Sequence, residues 1–287
     1  METKPTSFCA FSNSVESAEM RGMESAEMRG VESAEMRGMG MRGLCPAQFS
    51  RLSLLTGDEG FARLQKAHLF VCGTGGVGSW AVEMLVRSGI GKLTMMDPDI
   101  VKPSNINRQL CALNSTLGRP KVAVLAERMR DISPDSTITA LPHHLDPSEC
   151  EAFLLEHRFD CVIDAIDERP AKLALLENCH RLSIPVISSM GAANKLDASL
   201  VRAADISESF GCPLARLIRK SLHKVGIEHG IRVVFSPEPP LRETSGNTPE
   251  AAGEKRPIGS IAYLPALFGL TCAAEAIRII LQKNPVA

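Results

Sequence analysis

The chain has 287 residues, 44% of them hydrophobic and 23% charged, with a formal net charge of -1. Values so close to the soluble globular average exclude collagen-like, wholly disordered and disulfide-scaffold classes. The near-neutral balance supplies no whole-molecule basic field, so any nucleic-acid contact must come from a local patch. One Trp and one Tyr argue against a base-stacking platform for single strands. Nine cysteines without a C-x-x-C pair point to reduced thiols in the cytoplasm and offer no zinc site.

Residues 1–43 stand apart. VESAEMRG (15–22), MESAEMRG (23–30) and VESAEMRG (31–38) repeat without a gap. Each unit holds too little apolar surface to offset the cost of ordering it, so a disordered tail is expected, with the folded domain over 44–287. The seven Glu of this tail against five Lys or Arg also speak against an organelle transit peptide.

The pattern sharpens at HLFVCG (68–73), an apolar run of the kind a buried parallel strand shows. Gly73, Gly75 and Gly78 then fit G-x-G-x-x-G, followed by a helix at 79–89 and a second strand, KLTMMD (92–97). Such a turn brings a phosphate against backbone N–H groups at a helix N-terminus, and Asp97 ends the next strand where a carboxylate reaches ribose hydroxyls. Asn105, Asn107, Arg108 and Gln109 follow past that strand's end, and a helix is expected over 117–130 with Pro120 as its first residue. From Lys102 to Arg130 there are six Lys or Arg against one acid, Glu127. Basic side chains added to glycine amides suit a polyphosphate, hence ATP; Arg108 and Lys121 disfavour a nicotinamide oxidoreductase.

FDCVIDAID (159–167) reads as a third core strand. Asp167, at its carboxyl end, is the magnesium candidate, since Mg²⁺ beside a nucleotide usually takes one or two protein carboxylates. Asp164, inside the apolar run, is expected to be structural and satisfied by backbone amides. IPVISSMG (184–191) supplies a fourth strand. CPLARLIRKSLHKVG (212–226) is an amphipathic helix whose Arg216, Arg219, Lys220 and Lys224 make it the candidate nucleic-acid-backbone contact. SPEPPLRETSGNTPEAAGEKRPIGS (236–260) is a long Pro- and Gly-rich loop, expected to be mobile, and it contains no cysteine. Leu264 to Leu281 is apolar enough to approach a membrane span, but Pro265 and Gly269 favour a core or dimer-interface helix over a span.

The ordered series GTGGVG, MDPD, SNINRQ, GRPK and VIDAID resembles the ThiF/MoeB/HesA superfamily of ubiquitin-activating-like adenylating enzymes. Within it, FSRLSLLTGDEGFARL (49–64), ISSMGAANKLD (187–197) and CPLARLIRK (212–220) look most like the tRNA threonylcarbamoyladenosine dehydratase branch. The resemblance implies an α/β fold with a Rossmann-like, doubly wound, mostly parallel sheet. It implies an enzyme that uses ATP and Mg²⁺ to adenylate the threonylcarbamoyl carboxylate on tRNA, followed by cyclisation with loss of AMP. By motif position, Gly73, Gly75, Gly76 and Gly78 would hold phosphates and Asp97 the ribose. Asn105, Arg108, Gln109 and Lys121 would bind the triphosphate, and Asp167 the magnesium. Arg51 would reach the ATP of a partner in a homodimer. Without a cysteine in the 236–260 loop, direct cyclisation is expected rather than a thioester step. A monovalent cation and a cysteine desulfurase or sulfur acceptor as protein partner stay open. The neighbouring alternative, adenylation of the C-terminal glycine of a small ubiquitin-like or sulfur-carrier protein, shares the same ATP site.

Overall fold

The apolar run at 68–72 forms a strand covered on both faces, and the rest of the chain is wound around it. The structure, a computed structural model, describes residues 45–241 and 258–282. The octad tail and residues 242–257 of the long loop lie outside the described residues. Helix α1 (Ser50–Lys66), broken at Gly57, leads into β1 (His68–Cys72), α2 (Gly78–Arg87), β2 (Lys92–Met96), α3 (Lys121–Ile132) and β3 (Thr137–Leu141). Next come α4 (Cys150–His157), β4 (Cys161–Asp164), α5 (Arg169–Arg181) and β5 (Val186–Ser189). Strand β6 (Arg202–Asp205), α6 (Pro213–Lys224), β7 (Arg232–Phe235) and α7 (Tyr263–Gln282) complete the described chain.

The strands lie in the order β3-β2-β1-β4-β5-β7-β6. All neighbours are parallel except the β6–β7 pair at one edge. Leu64 of α1, α2, α3 and α7 pack one face, through residues such as Leu85, Leu125 and Phe268; α4, α5 and α6 pack the other, through Leu154, Leu175 and Ile218. This is the doubly wound architecture expected. The chain order runs one way from β1 to β3 and the other way from β4 to β5, so the loops past the carboxyl ends of β1 and β4 part and leave a crevice.

Two boundaries differ from the sequence expectation. Pro120 precedes α3 instead of opening it, because its ψ of 130° is extended while Lys121 starts the helix. The apolar C-terminal segment, α7, buries Leu264, Phe268, Cys272, Ala276 and Ile280 in the core. It is long and apolar enough to cross a membrane by composition alone, yet here those side chains are satisfied by α2 and the sheet.

Candidate active site

The turn after β1 is built by close backbone approach. Gly73 has φ +87°, and a Cβ there would lie 2.6 Å from the Ala165 carbonyl oxygen; a Cβ on Gly78 would lie 1.8 Å from the Gly73 oxygen. Both positions exclude any side chain, so the first and third glycines of the motif seal the turn against β4 and α2. Gly75 differs: a Cβ there would meet only the Gln109 amide nitrogen, 3.7 Å away, so open space lies over it. Gly76 is covered by Pro265, whose Cβ would be 3.1 Å from an added Cβ, and by the aliphatic stem of Arg108, whose Cγ would be 3.3 Å from it. Two buried polar atoms at this place, Thr74 Oγ1 and Gln109 Oε1, have no hydrogen-bond partner. Buried polar atoms without partners are costly, and a bound polar ligand would relieve them. These features fit a nucleotide phosphate laid over Gly75 beside Arg108.

Asp97 is buried and faces the turn. One carboxylate oxygen accepts from the Thr74 N–H at 2.6 Å and the other from the Asp99 N–H at 2.9 Å. Its first task is therefore to hold the glycine turn; the lone pairs left over remain for a ribose hydroxyl. Lys121, also buried, donates to Asp99 Oδ2 at 2.7 Å. It is placed beside the Asp97–Asp99 bend through that ion pair, whereas the sequence suggested a cation free for triphosphate.

The segment after β2 is fastened to the glycine turn from below. Ser79 Oγ donates to the Gly75 carbonyl at 2.6 Å and accepts from the Leu110 N–H at 3.1 Å. The Trp80 indole N–H donates to the Arg108 carbonyl at 3.1 Å. Sequence reasoning passed over Ser79 and Trp80, although their position directly after the last motif glycine was a usable signal. Asn105 Oδ1 accepts from the Lys102 N–H at 3.0 Å, so this side chain caps its own loop. The Arg108 guanidinium donates to the Ser104 carbonyl and to Asn107 Oδ1, at 3.0 and 2.9 Å, and Asn107 Nδ2 donates to the Ser260 carbonyl at 3.0 Å. Exposed bonds of this kind exchange readily for a phosphate oxygen.

At the end of β4, Asp164 is fully buried. Its partners are Lys172 Nζ at 2.6 Å, Ser188 Oγ at 2.5 Å and the Ile166 N–H at 3.1 Å. It is structural, as expected, but a buried lysine and a serine do most of what backbone amides were expected to do. Lys172 also donates to the Ile166 carbonyl at 3.0 Å, so the pair shapes the bend that carries Asp167. Asp167 itself is exposed and makes no hydrogen bond or ion pair among the described residues. An exposed carboxylate here, next to the equally exposed Glu168, suits a magnesium ion that takes its other oxygens from phosphate and water; among the described residues no cluster of three metal-ligating side chains exists.

The remaining candidates lie apart. Arg51 is exposed on the first turn of α1, next to Leu54 and Leu55, which are 89% and 86% exposed. On α6, Arg216, Lys220 and Lys224 face solvent, whereas Arg219 turns inward and donates to the Ser209 carbonyl at 2.6 Å and Ser209 Oγ at 2.8 Å. Arg219 thus fixes the 206–209 bend and is not free for a phosphate.

A doubly wound sheet with a glycine turn, an arginine stem laid over it and exposed carboxylates past the end of β4 frames a nucleotide-binding site at the switch point of the sheet. The chain belongs to the ThiF family, whose model matches residues 48–287. It is 39% identical over 242 residues to the tRNA threonylcarbamoyladenosine dehydratase of Bacillus subtilis, a match spanning 82% of this chain and 95% of that protein. It is also similar to the E. coli enzyme TcdA solved in complex with ATP, with a TM-score of 0.73 and 30% identity over 82% of this chain and 93% of that one. The SAMP-activating enzyme E1 of Haloferax volcanii is more distant, at 26% identity over 79% of this chain and 72% of that protein.

Proposed function

We propose that this chain catalyses the ATP-dependent dehydration of threonylcarbamoyladenosine in tRNA by way of an acyl-adenylate. The observation that carries the reading is the convergence of Gly75, Gly76, Arg108 and Gln109 on one sheet edge, where Thr74 Oγ1 and Gln109 Oε1 lack partners. The similarity along the whole folded domain to dehydratases supplies the acyl substrate. In this reading the threonylcarbamoyl carboxylate attacks the α-phosphorus and pyrophosphate leaves. The carbamoyl group then closes on the acyl carbon and AMP leaves with the oxygen of the lost water. Charge building on the α-phosphate is met by Arg108 and by the N-terminal amides of α2, and the turn itself is held by Asp97. Positioning contributes as much, because both reactants are fixed before bonds change.

Magnesium is part of the proposal: Asp167 would hold it, and it would neutralise charge on the departing pyrophosphate. A homodimer is proposed from Arg51, solvent-exposed and unpaired, and from the bare Leu54–Leu55 pair beside it. A cytoplasmic location accords with the eight described cysteines, all unpaired. A monovalent cation and a sulfur-transfer partner have no support in the described residues.

The decisive measurement is AMP and pyrophosphate release from ATP with three additions: tRNA carrying threonylcarbamoyladenosine, a Gly-Gly-tailed protein, or nothing. Release that depends on the tRNA, with a mass loss of one water from the modified base, is expected; release with the protein alone would overturn the reading. The dimer is checked by mixing Arg51→Ala with Arg108→Ala, each expected to be strongly impaired alone. Recovery of turnover on mixing is expected if Arg51 completes the partner's site, and no recovery would place Arg51 outside it.

A further inference from the structure

A groove of about 660 Å³ lies between the N-terminal half of α6 and the 209–211 bend, away from the glycine turn. Its walls include Phe210, Leu217, Arg216 and Lys220, and no acidic side chain lines it. Phe210 is 55% exposed, an unusual state for a phenyl ring held on a rigid bend. The bend is rigid for two reasons. The Arg219 guanidinium ties down the Ser209 carbonyl and hydroxyl. Gly211 has φ +69°, and a Cβ there would lie 2.6 Å from the Pro237 carbonyl oxygen. The ring sits edge-on to Phe235 at 5.8 Å, and the Arg202 guanidinium carbon lies 5.7 Å from its centroid. The ring thus stands half-exposed at the groove, with Arg202 over it and Arg216 and Lys220 in the same walls.

The groove also has a meaningful position. Arg202 pairs with Phe235, the last residue of β7, so Phe210 stands at the carboxyl edge of the sheet, the edge that carries the glycine turn. From β1 to β6 the sheet spans four strand spacings of about 4.8 Å, roughly 19 Å.

We propose that this groove binds an unpaired nucleotide of the tRNA substrate, with its base stacked on Phe210 and its phosphates held by Arg202, Arg216 and Lys220. The proposal rests on the dehydratase reading above and extends it to substrate recognition. Charge selects RNA over a neutral or basic partner, and the exposed aromatic face beside cations selects a base over an acidic peptide. The Trp and Tyr count missed this platform because it is made from a phenylalanine. The same geometry removes Arg219 from the set of RNA contacts.

The test uses the full chain and tRNA carrying threonylcarbamoyladenosine, with tRNA affinity measured beside ATP affinity. Phe210→Ala should weaken tRNA binding by about five- to 150-fold and leave ATP affinity unchanged. Phe210→Trp should restore binding, and Phe210→Leu, which keeps apolar area without a π face, should not. Arg216→Gln and Lys220→Gln should each lower the slope of log affinity against log salt by about one. Wild-type affinity in Phe210→Leu overturns the stacking assignment. So does unaltered tRNA binding in Phe210→Ala accompanied by a change in sedimentation, which would make the groove a contact between copies. If the wild-type protein cyclises the tRNA while every Phe210 variant binds alike, only the groove fails. If the wild-type protein neither binds nor cyclises that tRNA, the functional reading fails first.

Discussion

Arg108→Ala is expected to lower ATP-dependent turnover by about 10²- to 10³-fold, the usual effect of removing a fixed donor aimed at transition-state charge. The fold should survive, because among the described residues the guanidinium bonds only the Ser104 carbonyl and the Asn107 side chain, both on an exposed loop. The loop has its own fastenings: Trp80 holds the Arg108 carbonyl and Ser79 holds the Leu110 N–H. Thermal unfolding should therefore match the wild type, and ATP binding should weaken far less than the rate of adenylate formation. Pyrophosphate exchange measured at saturating ATP separates the two. Wild-type exchange in Arg108→Ala would remove this arginine from the chemistry and leave a generic mononucleotide fold.

Lys172→Met is expected to destabilise the protein by about 3–5 kcal/mol, because it leaves the Asp164 carboxylate buried without its charge partner. Lys172 and Asp164 are both fully buried, and among the described residues Ser188 and one backbone N–H are the only partners that would remain. Adding Asp164→Leu should recover much of the loss, since a matched apolar pair has no unpaired charge to strand. Denaturant midpoints of the two single variants and the double variant give the comparison; additive losses would show that the pair does not act as a unit. Function has a separate readout. The pair holds the Ile166 carbonyl and N–H, and with them the bend before Asp167, so the double variant should fold yet need more Mg²⁺ for half-maximal turnover. An unchanged Mg²⁺ requirement would confine the pair to stability.

Much of the nucleotide-binding half was legible because its signals are local. A strand, three glycines and a helix within twenty residues declare a tight turn, and the spacing to Asp97 follows from one helix and one strand. The second half was harder. Strands β6 and β7 have four residues each, and β6, RAAD, has no large apolar side chain, since an edge strand buries little. Helix α5 carries Lys172 in its buried face beside Ala171, Leu175, Leu176 and Cys179, and the buried partner Asp164 explains the lysine.

The linear chain by itself determined the class of fold, the phosphate turn, the family and the acidic residue left free at the end of β4, because each depends on residue type and short spacing. Tertiary structure decided which charges are available. Lys121 meets Asp99, Lys172 meets Asp164 and Arg219 meets Ser209 across turns of the chain that no local pattern encodes. Whether a cation is a ligand-binding group or an internal fastening depends on what packs within about 3 Å of it, and packing brings together residues the sequence holds apart.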